Sequence, residues 1–102
     1  GRSLYTFGWL LDIARCVYTI RTGRIIAKTA AAEWALENNL CPDADALQYA
    51  LRVRRNPLKY KDDKHIFDYA ETLAVPIQRF AYVLEYELRQ AKEIAHGGVD
   101  FL

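Results

Sequence analysis

Apolar residues recur along this chain at three- and four-residue steps, the period of a helix packed on one side, and no segment alternates convincingly as a strand would. Leu4, Leu11, Ala14, Val17 and Tyr18 give one face to a first helix, Leu4 to Thr22. Gly23 can take the left-handed conformation that closes it, with Arg21 in the last turn. A second helix spans Thr29 to Asn38, with Thr29 as a candidate cap and Glu33 behind it; a start at Ala27 or Lys28 would aim its free N–H groups and Lys28 the same way. Asn38 to Pro42 reads as a turn, with Pro42 or Asp43 at the next helix start. A third helix covers Asp43 to Arg54, with Ala46, Leu47, Ala50, Leu51 and Val53 inward, and Asn56-Pro57 ends it. The charged stretch Leu58 to Asp63 reads as a loop or frayed turn. A fourth helix, Asp63 to Ala74, sets Ile66, Phe67, Tyr69, Ala70 and Leu73 on one side. Pro76 should kink or break the chain there, because it lacks an N–H and its ring clashes with the preceding turn. Ile77, Phe80, Ala81, Leu84, Leu88, Ala91 and Ile94 then form the cleanest amphipathic seam. Gly97-Gly98 is the expected stop. The pattern predicts an all-α fold, a small bundle of five helices with the last two interrupted at Pro76.

Composition narrows this only modestly. The 102 residues suit one domain with a modest core, and 52% hydrophobic with 26% charged residues is ordinary for a globular protein. A net charge of +1 argues against a nucleic-acid partner across the whole surface. No apolar run is long enough for a bilayer, so no membrane partner is expected. Cys16 and Cys41 do not have metal-ligand spacing, and Cys16, in mid-helix, is expected to be a small buried residue. No signal peptide is visible, which favours a reduced cytoplasmic location. The abrupt start suits a piece of a longer protein.

The stretch from Asp12 to Trp34 carries the chemistry. Its pattern of Arg15, Tyr18, Thr22-Gly23, Ile25, Lys28, Ala31 and Trp34-Ala35 resembles the C-terminal helical domain of aminoglycoside nucleotidyltransferases, the adenylyltransferases that inactivate streptomycin- and spectinomycin-type antibiotics. The resemblance implies that residues 1–102 are one substrate-binding domain, the C-terminal part of a larger enzyme. Its partners would be an N-terminal nucleotidyltransferase domain and a small-molecule acceptor. In the family that catalytic half carries a Gly-Ser motif followed by paired aspartates holding magnesium. This chain has no such combination, so ATP and magnesium are expected in the parent enzyme, with no metal site, no catalytic residue and no activity in this segment alone.

The resemblance also assigns residues. A lysine at the place of Lys28 contacts nucleotide phosphates at the domain interface, which suits an ammonium at a helix start; a solvated surface lysine is the plain alternative. Trp9 and Asp12, with Tyr5, lie where the family supplies aromatic and acidic contacts to the cationic antibiotic. The chain departs from the streptomycin enzymes in carrying Tyr5 and Gly8 where they have an acidic and a polar residue. Arg15 sits beside the apolar stripe on the line of Leu4, Leu11 and Tyr18. It is expected to be buried against Asp12 or Glu33 as a structural ion pair, with a substrate contact as the second reading. Tyr60 matches a family tyrosine that contributes to nucleotide binding. Trp34 reads as core packing.

Two readings from other classes compete. Arg89 and His96, six residues between them, fit the loose pattern of HEPN ribonucleases, with His96 as general base and Arg89 neutralising phosphate charge. Arg52, Arg54, Arg55, Lys59, Lys61 and Lys64 surround Tyr60 and could hold a nucleotide or strand, although such a run is more often a solvated face. A plain protein-interaction bundle is the third reading.

Overall fold

The computed structural model describes residues 4–100, with side chains as far as residue 94. Six helices follow one another: α1 (Tyr5–Thr22), α2 (Lys28–Glu37), α3 (Ala44–Arg55), α4 (Pro57–Tyr60), α5 (Lys64–Ala70) and α6 (Ala74–Asp100). The described residues contain no strand, so the fold is all-α.

Local chemistry explains most boundaries. Gly23, at φ 72°, closes α1 with its N–H on the Thr19 carbonyl, and Arg21 lies in the last turn. Asn39, at φ 53°, turns the chain after α2, where the Leu40 N–H reaches the Ala35 carbonyl at 3.0 Å. Asp43 caps α3 by accepting from the Ala46 N–H. Asp63 caps α5 by accepting from the N–H groups of His65 and Ile66. Thr29 is not a cap: α2 begins one residue earlier, at Lys28, and no side chain caps it. The stretch read as a loop after Asn56 contains α4, because Pro57 at its first position is pre-set for a helix.

The fourth and last helices of the sequence reading are separate, but the break precedes the proline. The chain turns over Glu71–Leu73, with the Thr72 N–H on the Tyr69 carbonyl. Pro76 falls in the first turn of α6, where N–H groups have no intrahelical acceptor and its missing donor costs nothing. Gly97-Gly98 does not stop α6, which continues to Asp100. A glycine pair permits a left-handed cap, yet a helix also carries it at about 1 kcal/mol per glycine.

α1 is the central post, packing against α2, α3 and α6. Its inward face is Phe7, Leu10, Leu11, Ala14 and Val17, all essentially buried. Phe7 and Leu10, absent from the stripe read in the sequence, supply the bulk of it. α2 meets this face with buried Ala31, Ala32 and Ala35, whose small side chains let the backbones approach closely. Leu47, Ala50 and Leu51 of α3, Ile66 and Ala70 of α5, Leu73, and Phe80 of α6 complete one core. A buried phenylalanine of this kind contributes about 1.5–3 kcal/mol.

α6 outlasts the core. At about 1.5 Å per residue it is roughly 40 Å long, and the molecule measures 57 × 23 × 22 Å. Phe80 is buried, whereas Leu88 is 43% exposed and Ile94 78%. The second half of the amphipathic seam therefore extends past the other helices.

Candidate functional site

α1 has two working faces. Phe7, Leu10, Leu11, Ala14 and Val17 turn inward, and Tyr5, Gly8, Trp9 and Asp12 fall on a neighbouring face at helical steps. That face forms one wall of a cleft of about 560 Å³. Lys28 closes the cleft from α2, Ala50, Val53 and Arg54 from α3, and Pro57 from α4. The volume is in the range of small-molecule sites. Tyr5 and Trp9 stand 72% and 56% exposed, so their rings are open to a ligand.

The charges of the cleft are few and ordered. Lys28 is the first residue of α2, at an N-terminus whose free N–H groups no side chain caps. Its Nζ lies 2.7 Å from Oδ1 of Asp12, with the two side chains 30% and 51% exposed. Arg54 adds a second cation from the last turn of α3. One side of the cleft can therefore meet an anion, through Lys28, Arg54 and the α2 terminus, and the other a cation, through Asp12 and the two aromatic rings. Arg54 was legible in the sequence only as one of a basic run; the packing of α3 on α1 brings it in.

Trp9, Asp12 and Lys28 thus come together, whereas two other candidates lie elsewhere. Arg15 is exposed, not buried, and no ion pair to Asp12 or Glu33 forms. Asp12 is taken by Lys28 and Glu33 by Arg55. Arg15 follows core residue Ala14 by a 100° turn of the helix, which carries it out of the apolar face. It lines a second, apolar groove of about 440 Å³ with Cys16, Thr19, Ile20, Ile25, Leu84 and Leu88. Cys16, read as buried, is exposed on the same side. Tyr60 is half-buried against the core, with the Lys59 ammonium 5.4 Å from its ring centre, and is not among the residues lining the cleft. Trp34 packs on the core and meets Tyr18 edge to face at 5.1 Å.

Two members of the basic run around Tyr60 have partners of their own: Arg55 pairs with Glu33 of α2, and the Arg52 guanidinium lies over the Tyr49 ring at 5.1 Å. Arg89 pairs with Glu85 one turn away at 2.6 Å. The His96 side chain lies outside the described residues, so its pairing with Arg89 does too. Asp43 and Asp45 have the spacing of paired metal carboxylates, but the Asp43 carboxylate is occupied in capping α3. Among the described residues no three His, Cys, Asp or Glu side chains converge to hold a metal. No helix among them is long and apolar enough to cross a membrane.

No curated protein and no solved structure matches the chain. The family described as "Aminoglycoside adenylyltransferase, C-terminal domain" matches residues 4–76, a span from the N-terminal end of α1 to the first turn of α6 that includes every residue lining the cleft. Most of the chain lies within this match: the chain belongs to the family of aminoglycoside adenylyltransferase C-terminal domains.

Proposed function

We propose that the cleft between α1, α2 and α3 is this domain's half of an adenylyl-transfer site, completed by a catalytic N-terminal domain of the same parent protein. The observation that carries the reading is the juxtaposition of Lys28 at an uncapped helix start with Asp12 and Trp9 in one cleft. Lys28 and Arg54 meet the phosphates of ATP, as an ammonium at the N-terminus of α2 and a guanidinium from the last turn of α3 are suited to do. Asp12, Trp9 and Tyr5 meet a cationic aminoglycoside, whose ammonium groups seek a carboxylate and aromatic faces.

The division of labour follows from chemistry. Adenylyl transfer needs metal-held phosphates and an oriented hydroxyl nucleophile. The side chains of this chain clamp and orient; the metal belongs to the catalytic domain. Arg15 lies outside the cleft, and Tyr60, the last residue of α4, packs against the core, so either would reach ligand only across the domain interface. ATP chemistry with free thiols at Cys16 and Cys41 fits a cytoplasmic enzyme.

The test is adenylyl transfer from ATP to an aminoglycoside by the full-length protein, compared with its Lys28→Ala variant at equal helicity. The variant should use ATP at least roughly tenfold less efficiently, the loss of one charge-assisted contact. Unchanged kinetics would remove Lys28 from the site.

A further inference from the structure

The ion pair between Lys28 and Asp12 poses a problem for both ligands of the proposed site. Lys28 is already neutralised at 2.7 Å, and so is Asp12. A phosphate that recruits Lys28 must draw it from Asp12, and a cation that recruits Asp12 must draw it from Lys28. Each ligand binding alone leaves one charge without its partner; both together pair every charge.

We infer that Asp12 is a positioning residue for nucleotide binding: it parks Lys28 in the empty cleft and releases it by ion-pair exchange, so that anionic nucleotide and cationic acceptor favour each other. The inference rests on the proposed adenylyl-transfer reading and adds a regulatory step to it. Three features support it. The pair joins two helices, α1 and α2, so holding or releasing Lys28 needs only rotation of its side chain rather than movement of a helix. The partners are 51% and 30% exposed, which keeps the pair weak enough to exchange. Arg54 stands in the same cleft with no ion pair among the described residues, so an arriving phosphate meets a cation before Lys28 turns to it. Coupling of this kind is reciprocal: whatever the acceptor does to nucleotide affinity, the nucleotide does to acceptor affinity.

The exchange predicts an unusual sign. Removing the carboxylate should improve nucleotide binding, because Lys28 no longer has to be drawn away. The experiment is titration of the full-length protein with a non-hydrolysable ATP analogue and magnesium, for the wild type, Asp12→Asn, Asp12→Glu, Lys28→Met and the double variant. Asp12→Asn should tighten the dissociation constant roughly threefold, the scale of a partly exposed pair. Asp12→Glu, which keeps the charge, should return it toward wild type. In the Lys28→Met background, Asp12→Asn should change nothing. A tightening that survives in that background would be through-space repulsion between carboxylate and phosphate and would overturn the exchange. So would Asp12→Asn leaving affinity unchanged or weakened while Lys28→Met weakens it. Lys28→Met binding as tightly as wild type would instead overturn the site reading itself. Circular dichroism at equal concentration confirms that all variants share one fold.

Discussion

Glu87 of α6 is 8% exposed, and its Oε1 accepts two hydrogen bonds from the Arg21 guanidinium in the last turn of α1, from Nε at 3.0 Å and Nη2 at 2.5 Å. The contact ties the end of the central helix to the point where α6 leaves the bundle. The hydrogen bond to Glu87 raises the Arg21 pKa above its ordinary value, so the guanidinium stays charged wherever the protein is folded. Arg21→Ala should destabilise the domain by about 1–2 kcal/mol. This is less than for a fully buried pair, since the arginine is partly in water, but more than for a surface pair, since a buried carboxylate is left alone. Adding Glu87→Gln should recover part of the loss in urea denaturation. A double-mutant cycle without coupling would contradict this.

The two thiols should behave oppositely. Cys16 is exposed, whereas burial pushes the Cys41 thiol from 9.0 up to about 11. At pH 8 iodoacetamide should label Cys16 readily and Cys41 only after denaturation, which peptide mass spectrometry reads directly. The shift also sets a pH dependence. The unfolded chain loses the Cys41 proton first, so the stability from burying a neutral thiol is whole below pH 9.0 and declines as pH rises through about 11. Cys41→Ala should flatten that alkaline decline in thermal melts.

α6 should divide energetically at Glu87. Phe80→Ala empties a fully buried site and should cost about 3–5 kcal/mol. Ile94→Ser, at a residue 78% exposed, should fall within about 0.5 kcal/mol of wild type. Equal costs at the two positions would mean that the outer half of α6 is covered.

Arg54 should matter to ligand and its neighbour Arg52 should not. Arg54 lines the cleft, and Arg52 lies over Tyr49. In the full-length protein Arg54→Gln should weaken binding of a non-hydrolysable ATP analogue roughly threefold or more, with Arg52→Gln unchanged. Equal effects would point to the general field of the basic run, and ionic strength would then scale both alike.

The candidate site was partly legible. Lys28, Trp9 and Asp12 were each identified from the sequence, two of them on one helix at an i, i+3 step that guarantees a common side. What the sequence did not disclose was that Asp12 faces Lys28 rather than Arg15. Spacing along α1 favours Asp12 with Arg15, because it counts only local neighbours. The angle at which α2 returns after Gly23 brings Lys28 nearer. Arg54 was hidden for the same reason, since its route into the cleft runs through the packing of α3 against α1.

By itself the sequence determined several of the helix boundaries. Gly23 stops α1, and Asp43 and Asp63 start α3 and α5, because capping is chemistry between residues two to four apart that needs no tertiary partner. It determined the all-α class as well, since a period of three to four residues cannot be buried by a strand. Only the tertiary structure decided which part of each apolar face is used. Phe7 and Leu10 became core and Arg15 surface because helix axes cross at angles that a one-dimensional stripe does not record. The seam of α6 reads the same from Ile77 to Ile94, yet its first half is covered and its second is not. Burial depends on whether another helix is alongside, and α1 ends at Thr22, level with Glu87 through Arg21.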